Sequence, residues 1–198
     1  ATSAPSPTHT AQPTPTPTIS ASPTATPPVH RVYLPVAVRT LCDADHLDVA
    51  LVIDVSTSMR RPSADGSRKL TAVLGAAATF VRLLQMSPDT VDASARVAVV
   101  GFNDRAWIES PLTADPAAAE AALVRLERRQ SEGTRLDAAF DEGARALRDA
   151  TRSAGRSPVL VLLTDGLPNR VPLHPIAGSQ EATVLEAAQA AKSAGITV

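Results

Sequence analysis

The residues of this 198-residue chain best placed to do chemistry are Asp54, Ser56 and Ser58. They stand two apart, directly after the apolar run Leu51-Val52-Ile53. Side chains two apart in an extended chain point the same way. One carboxylate and two hydroxyls can therefore converge just past the end of a strand, where open α/β sheets hold their ligands. Such an all-oxygen, incomplete shell suits a hard divalent cation such as Mg²⁺. Asp, Ser and Thr also cap helices and make turns, and on this motif alone that reading stays open. A second carboxylate, Asp165, ends another apolar run in Leu163-Thr164-Asp165-Gly166. Thr134 lies between them in a polar loop over 130–136, where taken singly it is a hydroxyl at a helix start.

The elements that must position these groups follow from hydrophobic periodicity. Residues 47–53 are nearly continuously apolar, broken only by Asp48, which predicts a central parallel strand covered on both faces. Leu70, Val73, Leu74, Ala77, Val81 and Leu84 keep helical spacing and predict a helix over 69–86, stopped before Pro88. A second buried strand is expected over 96–102. Asn103-Asp104 then makes a turn into an antiparallel edge strand at 106–109. Turn chemistry accounts for Asn103 and Asp104, which stay out of the site. Asp115-Pro116 starts a helix reaching about 129, with Arg125, Arg128 and Arg129 read as a solvated face. Another helix begins at Asp137, a third apolar strand covers 159–163, and a last helix spans 180–193 with Gly195 as its C-cap. Residues 196–198 begin a further strand, so the chain reads as a fragment of a longer protein. The alternation predicts an open, mostly parallel, doubly wound α/β sheet with helices on both faces. If the strands ending in Asp54 and Asp165 are neighbours, their loops meet at a switch point, with Thr134 entering from the intervening loop.

Composition narrows the setting. Residues 1–28 hold eight of the seventeen prolines, eight threonines and no Lys, Arg, Asp or Glu, so they have almost nothing to bury. Residues 1–29 are expected to be a disordered, polyproline-like stalk of the kind found on exported or surface proteins. Residues 30–45 read as an extended lead-in whose Pro35 suits a sheet edge, and 46–198 as the domain. The start at Ala1, without a charged and then apolar leader, is expected of a mature or trimmed fragment. Cys42 is the only cysteine, so any disulfide would need a partner outside this chain. A net charge of −1 and the lack of a basic stripe give no case for nucleic acid. No run of about 18 apolar residues is present to span a membrane. Aromatics are only 3%, which leaves the core to Val, Leu, Ile and Ala.

Taken together, Asp54-Val55-Ser56-Thr57-Ser58-Met59, Gly133-Thr134 and Leu163-Thr164-Asp165-Gly166 resemble the von Willebrand factor type A domain with its metal-ion-dependent adhesion site. The resemblance covers 46–198 and implies a Rossmann-like sheet truncated at its C-terminal end, since a further strand and helix are missing. It implies Ser56 and Ser58 as direct hydroxyl ligands of Mg²⁺ (or Mn²⁺ or Ca²⁺), and Thr134 as a third. Asp54 and Asp165 would hold the metal directly or through water. It further implies a partner protein that completes the shell with an Asp or Glu, at an extracellular or cell-surface location. No enzymatic activity is expected. A phosphatase of the haloacid dehalogenase type needs an acid two residues after its nucleophilic Asp, and here that position is Ser56. Only Lys69 and Lys192 are available to bind phosphate, and no G-x-S-x-G elbow or metal-binding His pair occurs. A domain whose metal only ties loops together is the remaining alternative.

Overall fold

The structure is a computed structural model, and it describes residues 46–63, 66–84, 86, 95–148 and 155–198. The stalk, the lead-in segment, Cys42 and Pro88 lie outside the described residues. Strand β1, His46–Asp54, is buried from Asp48 onward. That is what a run without alternation requires: helices must cover both faces of the sheet. β1 pairs in parallel with β2, Ala95–Phe102, on one side and with β4, Arg156–Leu163, on the other. β3, Ala106–Thr113, runs antiparallel at the outer edge of β2, giving the order β3-β2-β1-β4. The open, mostly parallel sheet is thus present, and the strands that end in the two acids are neighbours.

β3 is longer than the expected 106–109. It runs on through Pro111 because an edge strand needs ladder bonds on one side only, and its register against β2 shifts around Val97 and Val99. Beyond β4, Thr197 pairs with Val159, and the Leu160 N–H donates to the Thr197 carbonyl at 2.8 Å. The strand expected at 196–198 therefore begins there.

Two helices cover each face. Helices α1, Lys69–Leu83, and α2, Pro116–Leu126, pack on Val49, Leu51 and Ile53. Helices α3, Leu136–Ala146, and α4, Gln180–Ser193, pack on Ala50, Val52, Phe102 and Leu160. α3 lies close to the sheet because Gly143 has no side chain. A Cβ there would come within 2.6 Å of Leu160 Cδ1 and 2.9 Å of Val52 Cγ2. Asp115 caps α2 as expected, its Oδ1 accepting the Ala117 N–H at 2.8 Å ahead of Pro116. Not all of the supposed solvated arginine face is free. Arg125 and Arg129 hold Glu109 at 2.6 and 3.2 Å, and Arg129 lies 5.7 Å over the Trp107 ring.

The one polar break in β1 anchors the opposite end of the sheet from the candidate site. Asp48 is fully buried and accepts two hydrogen bonds from Arg96 on β2 and two from Arg156 on β4, all between 2.6 and 2.8 Å. Burial pushes the Asp48 carboxyl up, but the bonds and charges of the two guanidiniums outweigh it and hold the group below its ordinary value. Among the described residues, no helix is long and apolar enough to cross a membrane.

Candidate functional site

β1 delivers Asp54 to the carboxyl end of the sheet, fully buried. The Ser56 N–H donates back to Asp54 Oδ1 at 2.7 Å, the turn that an Asx residue makes with the backbone two residues on. The chain then enters a 3₁₀ turn, Thr57–Arg60, pinned by the buried side chain of Met59. This geometry puts the Ser56 and Ser58 hydroxyls 2.8 Å apart. Ser58 Oγ donates in turn to Asp165 Oδ1 at 2.7 Å, and the Thr164 hydroxyl donates to Asp54 Oδ2 at 2.7 Å. Asp54, Ser56, Ser58 and Asp165 therefore form one hydrogen-bonded cluster, although 107 residues separate Ser58 from Asp165.

Backbone contacts bring the Thr134 loop to the same place. Ser131 pairs with Ser56 as a parallel bridge, and its N–H donates to the Val55 carbonyl at 3.3 Å. The Thr134 N–H donates to Asn169 Oδ1 at 2.9 Å, and the Asn169 N–H returns to the Thr134 carbonyl at 3.3 Å. Each of the three loops is thus tied to the other two. Thr134 itself is only 2% exposed. Gly133 makes the approach possible: its φ is +96°, and a Cβ would lie 2.9 Å from Asp104 Cβ and 3.0 Å from Asp104 Cα. Asn103 and Asp104 are indeed turn residues. The Asn103 carbonyl also accepts the Arg135 N–H at 2.8 Å, bracing the same loop.

Two acids of one type meet opposite surroundings here. Burial pushes the Asp54 carboxyl above its ordinary value. The bonds from Ser56 and Thr164 offset only part of this, the charge of Asp165 adds to it, and among the described residues no cation pairs with it. Burial acts on Asp165 in the same sense. There, hydrogen bonds from Lys69 and Ser58, with the charges of Lys69 and Arg61, win and hold the carboxyl down. Lys69 Nζ sits 2.7 Å from Asp165 Oδ2.

Sequence reasoning missed Lys69, Thr164, Asn169 and Ser131 as parts of this assembly. Register alone could have found Thr164. With Ile53 opposite Leu163 on paired strands, the next residues, Asp54 and Thr164, must also adjoin. Lys69, at the start of α1, carries no comparable signal.

The donor set fits a hard divalent ion. It offers hydroxyl and carboxylate oxygens only, tightly grouped, with one buried carboxylate lacking any cationic partner. Among the described residues there is no group of three or more His, Cys, Asp or Glu placed to hold a metal ion.

Solved structures of the same fold include the conserved hypothetical protein BatB from Bacteroides thetaiotaomicron, at 22% identity and a TM-score of 0.57, covering 76% of this chain and 63% of that one. The pilus adhesin SpaC from Lactobacillus rhamnosus GG aligns at 18% identity and TM-score 0.60, over 78% of this chain and 24% of that one. The vWF domain of the type V pili tip protein Mfa5 from Porphyromonas gingivalis aligns at 20% identity and TM-score 0.54, over 68% and 43%. At such identities the likeness is one of fold, and the chain spans less than two thirds of each protein's length. No curated protein matches it. Its sequence does match the von Willebrand factor type A domain across residues 49–167, more than half of its length, and the protein belongs to that family.

Proposed function

We propose that this domain is a cation-dependent protein-binding module of the adhesion type, working at the cell surface or outside the cell. The observation that carries the reading is the continuous chain Ser56 Oγ, Ser58 Oγ, Asp165 Oδ1 at 2.8 and 2.7 Å, with buried Asp54 behind it. Ser56, Ser58 and Thr134 would present neutral oxygens to Mg²⁺ (or Mn²⁺ or Ca²⁺), and Asp54 and Asp165 would hold it directly or through water. A bound divalent ion supplies a Lewis-acid contact for an Asp or Glu of a partner protein. The partner's carboxylate brings the negative charge and the ligand that this donor set lacks. The likeness of fold to pilus adhesin and pilus tip proteins supports the adhesion setting. No catalytic role is assigned: Ser56 stands where a phosphatase needs an acid, and a panel of phosphomonoesters should show no turnover.

Calorimetric titration with Mn²⁺ should give saturable heat. A fluorescein-labelled Gly-Ser peptide carrying one aspartate should bind in Mg²⁺ and be released by EDTA. Asp54→Ala should abolish both signals. Binding undiminished by EDTA, or no heat from Mn²⁺, refutes the reading. One observation suits a purely structural ion instead: the cluster gathers groups from loops 107 residues apart, which an ion there would tie together. In that case metal raises the melting temperature by mass action and leaves peptide affinity unchanged.

A further inference from the structure

We propose that the loop over residues 60–69 is a second docking surface of the same interface, a basic finger that takes the flanking acids of a multiply acidic segment of the partner. The proposal rests on the cation reading above and names the kind of segment that site receives. The finger is a short antiparallel turn. Pro62 and Arg68 pair across it, the Ser63 N–H donates to the Ser67 carbonyl at 2.7 Å, and the Lys69 N–H donates to the Arg61 carbonyl at 3.0 Å. This sets Arg60, Arg61 and Arg68 together at its base, all exposed. From Val55 to Lys69 the sequence carries one acid, Asp65, against three arginines and a lysine. Lys69 is taken by Asp165, and Arg60 gives its Nε to the neutral Gln130 Oε1 at 2.6 Å. Among the described residues, Arg61 and Arg68 have no ion-pair partner.

The opposite flank is different. There Arg105 faces Asp104 at 3.6 Å and Arg170 faces Glu132 at 3.8 Å, so these two exposed cations each meet an anion. Arg61 and Arg68 at the finger thus differ from Arg105 and Arg170, whose charges are met. The finger adjoins that site, because Lys69 at its end holds Asp165 at 2.7 Å and Arg60 at its start follows Ser58 by two residues. Leu167, 81% exposed and two residues beyond Asp165, adds an apolar contact at the same border. An extended segment with neighbouring Asp or Glu residues fits: one carboxylate reaches the cation and the next ones the finger. A uniform polyanion fits less well, because Asp104 and Glu132 stand exposed on the other flank.

The test compares two fluorescein-labelled Gly-Ser peptides, one with a single aspartate and one with several in succession, by anisotropy in Mg²⁺ and in EDTA. Wild type should bind the acidic peptide about tenfold tighter or more, an advantage that shrinks as salt rises. Arg61→Glu and Arg68→Glu should lose that advantage, and Arg68→Glu should keep its affinity for the single-aspartate peptide. Mn²⁺ calorimetry guards against misfolding. Affinity should be unchanged in Arg68→Glu and higher in Arg61→Glu, where a negative charge replaces a positive one three residues after Ser58. Equal affinity for the two peptides, or an advantage that survives both substitutions, overturns the finger and leaves the cation site standing. An arginine-dependent advantage that persists in EDTA, with no heat from Mn²⁺, sinks the cation reading and leaves the finger. A heparin oligosaccharide that binds tighter than the acidic peptide overturns the assignment to a protein segment.

Discussion

Replacing the two acids of β1 by their amides, one at a time, separates anchoring from cation holding. Asp48 and Asp54 lie on the same face of one strand, roughly 20 Å apart at strand rise, and both are 0% exposed. Asp48→Asn removes the charge that four guanidinium bonds surround and strands two arginines. Taking one partner from a buried ion pair costs about 3–5 kcal/mol. Arg96, whose side chain is 31% exposed, can rehydrate, while Arg156, at 13%, cannot do so fully. The loss should therefore sit near the lower limit, about 3 kcal/mol. Asp54→Asn in EDTA is a different experiment. Among the described residues no cation pairs with Asp54, and burial already disfavours its charge, so stability should move by no more than about 1 kcal/mol. Mg²⁺ then closes most of the gap between the two variants. At a hundred times its Kd, wild type and Asp48→Asn each gain about 2.7 kcal/mol, and Asp54→Asn gains nothing. Urea unfolding followed by far-ultraviolet circular dichroism reads all of this. With a slope of about 1–3 kcal/mol per molar urea, the Asp48→Asn midpoint falls by on the order of 1 M or more. An Asp54→Asn protein as unstable in EDTA as Asp48→Asn, or one still stabilised by Mg²⁺, would refute the reasoning.

The same anchor sets the response to acid. Since its guanidiniums hold Asp48 below the ordinary 3.8 in the fold, its contribution is complete above that value and is lost as pH falls through the folded one. The gap in urea midpoint between wild type and Asp48→Asn should therefore shrink below pH 4 or so, and a constant gap counts against the ion triad. Gly133→Ala forces a side chain into a left-handed backbone against Asp104. It should cost about 1–3 kcal/mol and weaken Mn²⁺ binding, and calorimetry showing wild-type affinity contradicts the role given to that turn. Thr134→Ser should keep metal-dependent peptide binding, while Thr134→Val should lose Mn²⁺ affinity about tenfold or more, the scale on which even outer-shell partners matter. Equal affinities in the two variants would remove Thr134 from the site. Lys69→Met removes a partly exposed ion pair, so stability in EDTA should fall by under about 1 kcal/mol. Its Mn²⁺ affinity should rise as a competing cation leaves Asp165, and a fall in affinity argues that Lys69 instead positions that carboxylate.

What the sequence made legible was whatever depends on local periodicity. A run such as Val49 to Ile53 has no polar face, so it must be a central strand, and the next residue, Asp54, must stand at its rim. Partnerships across strands were harder to read. Asp48 and Asp54 are the same residue on the same face, and nothing near either one tells them apart. The difference comes from Arg96 and Arg156, which lie 48 and 108 residues further along the chain. Lys69 met Asp165 across 96 residues, and nothing at either position signals the other. Glu109 and Arg125 were read as the end of a short strand and as part of a solvated face, and they prove to be partners. The alternation that signals β3 stops at Glu109, but the strand runs on to Thr113, since an edge strand accommodates Pro111.

The charge of the cluster gives the binding role a physical logic of its own. Asp54 and Asp165 bring two negative charges when ionised, and Lys69 returns one positive charge. Counted apart from the finger's arginines, the cluster without a cation is therefore net negative and repels an incoming Asp or Glu at contact range. A divalent ion would turn the same cluster net positive, and the hydroxyls of Ser56, Ser58 and Thr134 would add ligands without cancelling that charge. Removing the ion thus costs a partner more than one lost contact, because attraction becomes repulsion at close range in a partly buried setting. A third carboxylate in place of either serine would neutralise the rim and end this reversal. By this argument, serine at 56 and 58 keeps the site hungry for an external acid.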